Sequence, residues 1–199
     1  MEREYIVKSC LISTNRIVVD GAVHWESSPY TAFNDFAKDA FRHLQVDYPK
    51  FYKMDSLSKL AFLAAEYLLE EADKEELALV LANRSGSLDT DIKHQESIQD
   101  EEYYFPSPAT FVYTLANICA GELSIRHKLL SENIFLVAEQ YPVPTVKAYA
   151  SYLMRSRKAK QVLCGWIELF KENYNTVLYL VGPKGSVEHT EENIKELFK

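Results

Sequence analysis

An α/β fold is predicted, with a mixed, mostly parallel sheet of about five strands and helices on both faces. Three observations carry it. Short β-branched runs alternate with amphipathic stretches of helical period, as in strand–helix–strand units. The run LALVLA at 77–82 is apolar at every position, which suits a strand buried on both faces. The stretch KMDSLSKLAFLAAEYLLEEA (53–72) sets Leu57, Leu60, Ala61, Ala64, Ala65, Leu68 and Leu69 on one wide stripe, with Asp55 or Ser56 as cap.

The remaining elements follow in chain order. Residues 5–13 and 16–24 read as a hairpin or two short strands joined at Thr14 and Asn15. Phe33, Phe36, Ala37, Ala40, Phe41 and Leu44 have helical spacing, so a helix is expected from about Thr31. Beyond strand 77–82, a polar loop at Ser85, Gly86 and Ser87 leads into SLDTDIKHQESIQDEE, a polar surface helix. Residues 107–130 are small and apolar enough to lie inside. Strand 134–139, helix 144–158, strands 161–168 and 176–182, and a last helix capped by Thr190 complete the chain. With no internal repeat or low-complexity linker, residues 1–199 are read as one domain.

Composition narrows the function classes. With 47% hydrophobic and 26% charged residues the chain has the balance of a globular protein, and 199 residues suffice for a real core. A net charge of −7 argues against nucleic-acid binding through the global field. Cys10, Cys119 and Cys164 lie in apolar runs with no Cys-x-x-Cys pair, so buried free thiols in a reducing compartment are expected. The N-terminal MEREYIVKSCLISTNR is not a secretory signal, and no stretch approaches a membrane span. A cytoplasmic location is expected. Asp89, Asp91, Glu96, Asp100, Glu101 and Glu102 lack calcium-loop spacing and its glycine turn. They are read as a solvated acidic face, and no metal or cofactor is expected. His127, in SIRHKLL, is read as a helix-end cation.

Four segments, in order, resemble the N-terminal half of β-ketoacyl synthases, the condensing enzymes of the thiolase-like superfamily. KMDSLSKLAFLAAEYLLEEA resembles their Met-Asp helix. LALVLANRSGSLDT is similar to the strand and loop written V-G-V-V-x-G-T-x-x-G-G-L-x-T. SPATFVYTLANICAGELSIRHKLLSEN resembles S-P-x-x-F-x-x-T-L-P-N-x-x-A-G-x-I-x-I-x-x-x-L-x-G-P-N, and QVLCGWIE their V-M-L-A-G-G-x-E strand. The match runs from about Lys53 to Glu168 and implies a thiolase-like half-fold.

The resemblance also locates the family's nucleophile. Its cysteine lies seven residues after the Asn of G-P-N, which here leads from Asn133 to Gln140. It also lies 25 residues before the first Gly of A-G-G, which leads from Gly165 to Gln140 again. A carboxamide forms no acyl thioester. The family's two catalytic histidines and its lysine come from a C-terminal half beyond the match, and His24, His43, His94, His127 and His189 occupy none of those positions.

What this implies is a non-catalytic ketosynthase-like subunit of the chain-length-factor type. It would pair with a full-length ketosynthase in fatty-acid, polyketide or aryl-polyene-type synthesis. Phe111, Thr114, Asn117, Gly121 and Gln140 would form the partner or acyl-tunnel surface. Arg155, Arg157, Lys158 and Lys160, in MRSRKAK (154–160), are read as a dipole-compensating helix end or as a docking spot for an acidic acyl-carrier protein. Two other readings stay open: a residual acyltransferase, thioesterase or decarboxylase, tested at Cys119 and Cys164, and a free homodimer binding acyl chains or carrier protein. In full-length family members the helix that matches 144–158 is sandwiched between the two halves. Here Lys147, Ser151, Arg155 and Lys158 form a polar face, which is expected to meet water or a polar partner.

Overall fold

Thr14 and Asn15 both take left-handed backbone angles, φ 49 and 60, as a two-residue turn of the primed type requires. They fold β1 (Tyr5–Ser13) against β2 (Arg16–Val19). A second turn with positive φ, at Asp20 and Gly21, sends β3 (Ala22–Glu26) back along β2. The expected strand 16–24 is therefore two strands. The computed structural model describes residues 3–29, 31–70, 72–102 and 104–199.

Five further strands complete the sheet: β4 (Leu77–Asn83), β5 (Asn133–Val137), β6 (Gln161–Phe170), β7 (Asn173–Gly182) and β8 (Val187–Glu188). Their order is β3-β2-β1-β7-β6-β4-β5, with β8 on β1. This corrects the expected sheet of about five mostly parallel strands. It has eight strands among the described residues, and only the pairs β4–β5 and β4–β6 are parallel. The reason lies in loop length. Strands β6 and β7 run so far toward each other that two residues join them, and only antiparallel neighbours can be joined that tightly.

Helices cover both faces, as expected. One face holds α1 (Phe33–Leu44), α2 (Ser56–Leu69) and, further along the chain, α5 (Ile118–His127). Between these come α3 (Leu88–Ile98) and α4 (Pro108–Val112). The Asp55 carboxylate caps α2 by accepting from the Ser58 N–H at 3.0 Å. Helix α2 buries its whole apolar stripe, which makes it the centre of the larger core. The opposite face carries α6 (Val143–Arg155) and α7 (Glu191–Glu196). There Val143, Val146, Ala150, Leu153 and Ile194 pack on Val80, Val162, Tyr179 and Val181. Thr190 caps α7, its hydroxyl accepting from the Asn193 N–H at 3.2 Å.

Two other expectations are corrected. The segment 107–130 is not interior. Its α5 buries Cys119, Ala120 and Leu123, but Phe111, Val112, Leu115, Ile125 and Leu130 are exposed. The polar face of α6 meets water at Arg155 and Lys158 but not at Ser151. Ser151 is buried and donates to the Glu4 carboxylate at 2.5 Å, while Arg155 pairs with the same carboxylate at 3.3 Å. Buried His189, from the other end of the chain, stands beside Glu4 as well, with its backbone N–H on the Glu4 carbonyl at 2.8 Å. Glu4 and His189 thus enclose Ser151 alone of that face, while Arg155 and Lys158 stay exposed.

Candidate functional site: the turn between β5 and α6

Strand β5 is the last strand of the sheet, and its ladder with β4 runs on by one bond, from the Ala138 N–H to the Asn83 carbonyl at 2.9 Å. The chain then turns through Gln140, Tyr141 and Pro142 into α6. Tyr141 decides the geometry of this turn. Its ring stacks on Phe198 at 4.7 Å and its hydroxyl meets that of Tyr179 at 2.9 Å. With Tyr141 held inward, its neighbour Gln140 is left exposed at the surface.

The loop after β4 lies beside this turn and is held rigid. The Asn83 carboxamide accepts from the Gly86 N–H at 2.9 Å and donates to the Gly86 carbonyl at 2.8 Å. Gly86 has φ 59, a left-handed angle that glycine adopts without penalty. Across on β6, Glu168 accepts from the backbone N–H groups of Arg84 and Ser85 and from the Ser85 hydroxyl. Ser85 is therefore occupied as a donor. Ser87 donates to the Thr114 carbonyl at 2.6 Å, which ties this loop to the segment before α5.

The structure places the sequence-predicted residues in two groups. Phe111, Asn117 and Gln140 are exposed, and Thr114 and Gly121 are half-buried. A Cβ built on Gly121 would meet nothing within 4 Å, so this position on α5 faces open space. Helix α6 spans 13 residues, roughly 20 Å, so the basic residues at its far end lie about that far from the turn. Of these, Arg155, Arg157 and Lys160 line one cleft, whereas Lys158 turns aside to pair with Glu132 at 3.1 Å.

The cysteines are all buried and free, and burial pushes the thiols of Cys10, Cys119 and Cys164 far up, so none is a ready thiolate. The reading of His127 as a helix-end cation is corrected. It is buried, and desolvation lowers its imidazole to about 4 against the opposing pull of Glu66, so it is neutral near pH 7. Arg126 takes the Glu66 carboxylate in a two-pronged pair at 2.8 and 2.9 Å. Among the acidic residues of 89–102, Asp89 pairs with Lys93 and accepts from the Lys171 N–H. Among the described residues no group of three or more His, Cys, Asp or Glu is arranged to hold a metal ion.

Sequence reasoning missed the Tyr141–Tyr179 contact and the Glu4–Ser151–His189 cluster. Each joins residues remote in the chain, and neither has a local spacing that announces it.

No protein-family profile and no curated protein matches this chain. Solved structures do match it. The ishigamide ketosynthase/chain length factor superposes with a TM-score of 0.68 at 19% identity, over 90% of this chain and 62% of that one. A chain from the ketosynthase ApeO in complex with its chain length factor ApeC, from Xenorhabdus doucetiae, gives 0.64 at 14%, over 98% and 90%. The AntDE:AntF complex, a type II PKS acyl-carrier protein with its ketosynthase bound to the hexaketide, gives 0.60 at 12%, over 98% and 65%. The fold is thus the thiolase-like α/β fold. Within that class, this chain is similar to ketosynthase and chain-length-factor chains, and it spans under two-thirds of the first and third of those structures. Among the described residues no helix is long and apolar enough to cross a membrane.

Proposed function

We propose that this chain acts, as one domain over residues 1–199, as a non-catalytic chain-length-factor-type subunit that pairs with an active ketosynthase. The observation that carries the reading is Gln140. The turn that would present a nucleophile instead presents an exposed carboxamide, and all three thiols are buried, Cys164 among them on β6 opposite Tyr179. A carboxamide at that point can shape or gate an acyl chain but cannot carry it as a thioester.

The surface near this turn supports a partner. Strand β5 pairs only with β4 among the described residues, so its outer edge has backbone donors and acceptors to offer. The exposed apolar residues Phe111, Leu115, Ile125, Leu130 and Val137 lie on α4, α5, β5 and the loops joining them. Large apolar side chains exposed on neighbouring elements beside an open strand edge support an interface there. The structural neighbours include ketosynthases in complex with chain length factors, and the chain of the Xenorhabdus complex is covered over 90% of its length, so it is of similar size. Polyketide or aryl-polyene-type synthesis is the setting this suggests.

Co-expression with a candidate full-length ketosynthase, followed by sizing at micromolar concentration, tests the proposal. One co-eluting species is expected. Two independent peaks with every ketosynthase encoded nearby, or condensation of malonyl thioester by the isolated chain, would overturn it.

A further inference from the structure

A cleft of about 560 Å³ opens at the end of the sheet opposite Gln140, where β4 and β6 begin and β7 ends. Four cations line it: Arg3, Arg155, Arg157 and Lys160. Two are already matched, Arg155 to Glu4 at 3.3 Å and Lys160 to Glu76 at 3.6 Å. The Glu4 carboxylate is further occupied by Ser151, and Asp73, the third carboxylate on the lining, accepts from the Glu75 N–H. Arg3 and Arg157 have no acidic partner within 4 Å among the described residues. Four cations against three carboxylates leave the lining one positive charge in excess, and in a chain of net charge −7 the two guanidinium groups without a carboxylate partner make it a local attraction for an anion.

The shape and lining say which anion. Guanidinium forks match phosphate oxygens two at a time. At the cleft wall the Gln161 side chain has a buried terminal oxygen with no partner, and a carboxamide turned either way can donate to or accept from an occupant. Met154, Ala159 and Pro183 supply apolar wall between the charges. A concavity of this volume falls in the range of small-molecule sites. An acidic protein surface fits less well, because the two unmatched guanidinium groups line a concavity, and Lys158, read from the sequence as part of a docking patch, pairs with Glu132 instead.

We infer that this cleft binds a small phosphate ester with an apolar substituent: the phosphate lies between Arg3 and Arg157 and the substituent lies against Met154, Ala159 and Pro183. The site lies apart from the proposed partner surface, so its test runs on the chain alone and stands or falls separately from the partner reading.

Calorimetric titration of the purified chain with n-octyl phosphate and with inorganic phosphate, at low ionic strength, tests it. The octyl ester is expected to bind at least about tenfold tighter than inorganic phosphate, since burying two methylenes suffices for that factor. Arg3→Ala and Arg157→Ala are each expected to weaken octyl phosphate about tenfold, as loss of a charge-assisted bond does. Both side chains are on exposed residues, and a thermal melt confirms folding of each variant. Lys158→Ala, outside the cleft, is expected to change nothing. No binding of octyl phosphate at millimolar concentration overturns the inference. So does equal binding by the Arg3→Ala, Arg157→Ala double variant, or an acidic carrier protein that uses these arginines while octyl phosphate fails to compete.

Discussion

The hydroxyls of Tyr141 and Tyr179 meet at 2.9 Å and join the turn before α6 to the middle of β7. Burial pushes both phenols well above their ordinary range, so both stay protonated and each can serve as the other's partner. This contact is what turns Tyr141 inward and Gln140 outward, and it gives the candidate site its form.

Removing one hydroxyl should strand the other. Tyr179→Phe or Tyr141→Phe is expected to cost about 1–2 kcal/mol in urea unfolding. The double variant should cost clearly less than the sum of the two, because the second change removes a group already left without its partner. Strict additivity would show that the two hydroxyls are not a pair.

Gly165 on β6 has φ 155, and a Cβ there would sit 2.2 Å from the Val177 carbonyl oxygen and 2.8 Å from the Leu178 Cα. Both obstacles are backbone of the neighbouring strand β7, which cannot step aside without breaking the ladder. Gly165→Ala is expected to destabilise by about 3 kcal/mol or more, or to prevent folding. Circular dichroism melts of the purified variant measure this, and a wild-type midpoint would refute the packing argument.

Gly121 separates folding from partnership. Its Cβ direction is open, so Gly121→Ala should stabilise the isolated chain by about 1 kcal/mol through helix propensity. Gly121→Arg should fold as well, yet project a long cation from the face proposed to meet a ketosynthase. Loss of co-elution with unchanged melting is the expected result. A complex that forms equally well with the arginine present would remove α5 from the interface.

Acid should weaken the fold through His127. In the unfolded chain its imidazole titrates near the ordinary 6.5, whereas burial holds it at about 4 in the native state. Above pH 6.5 both states are neutral and the group has no effect. Between 6.5 and 4 the unfolded chain binds more protons, so stability falls with falling pH, by up to about 3 kcal/mol once pH is below 4. His189 is lowered in the same direction by burial, against the pull of Glu4, and adds to the trend. Urea midpoints from pH 7.5 to 4.5 should show the slope, and His127→Gln should flatten part of it. An unaltered slope in that variant would place the acid sensitivity elsewhere.

Much of the fold was legible because it is written in short-range pattern. The unbroken apolar run 77–82 became a strand buried along its length, and the stripe from Leu57 to Leu69 became the central helix. Asp55 and Thr190 cap where their side-chain chemistry says they should. Gln140 was located through the family resemblance, by its spacing from Asn133 and Gly165, and its exposure was left to the fold.

What could not be read depends on partners distant in the chain. Alternating strands and helices suggested parallel neighbours, but β1 chose β7, more than 160 residues away, and the β6–β7 hairpin reversed direction. Ser151 and His127 carry polar side chains on helices, so period alone sends them to water. Glu4 and Glu66, approaching from other elements, enclosed them instead. The sequence by itself determined which stretches are helix or strand, where they stop, and that no thiol stands at the β5–α6 turn. Only the tertiary structure decided strand direction, the burial of those polar groups, and the meeting of Arg3 with Arg157 in one cleft. Hydrogen-bonding period and capping act over a few residues, whereas burial and charge pairing depend on which segments the collapsed chain brings side by side.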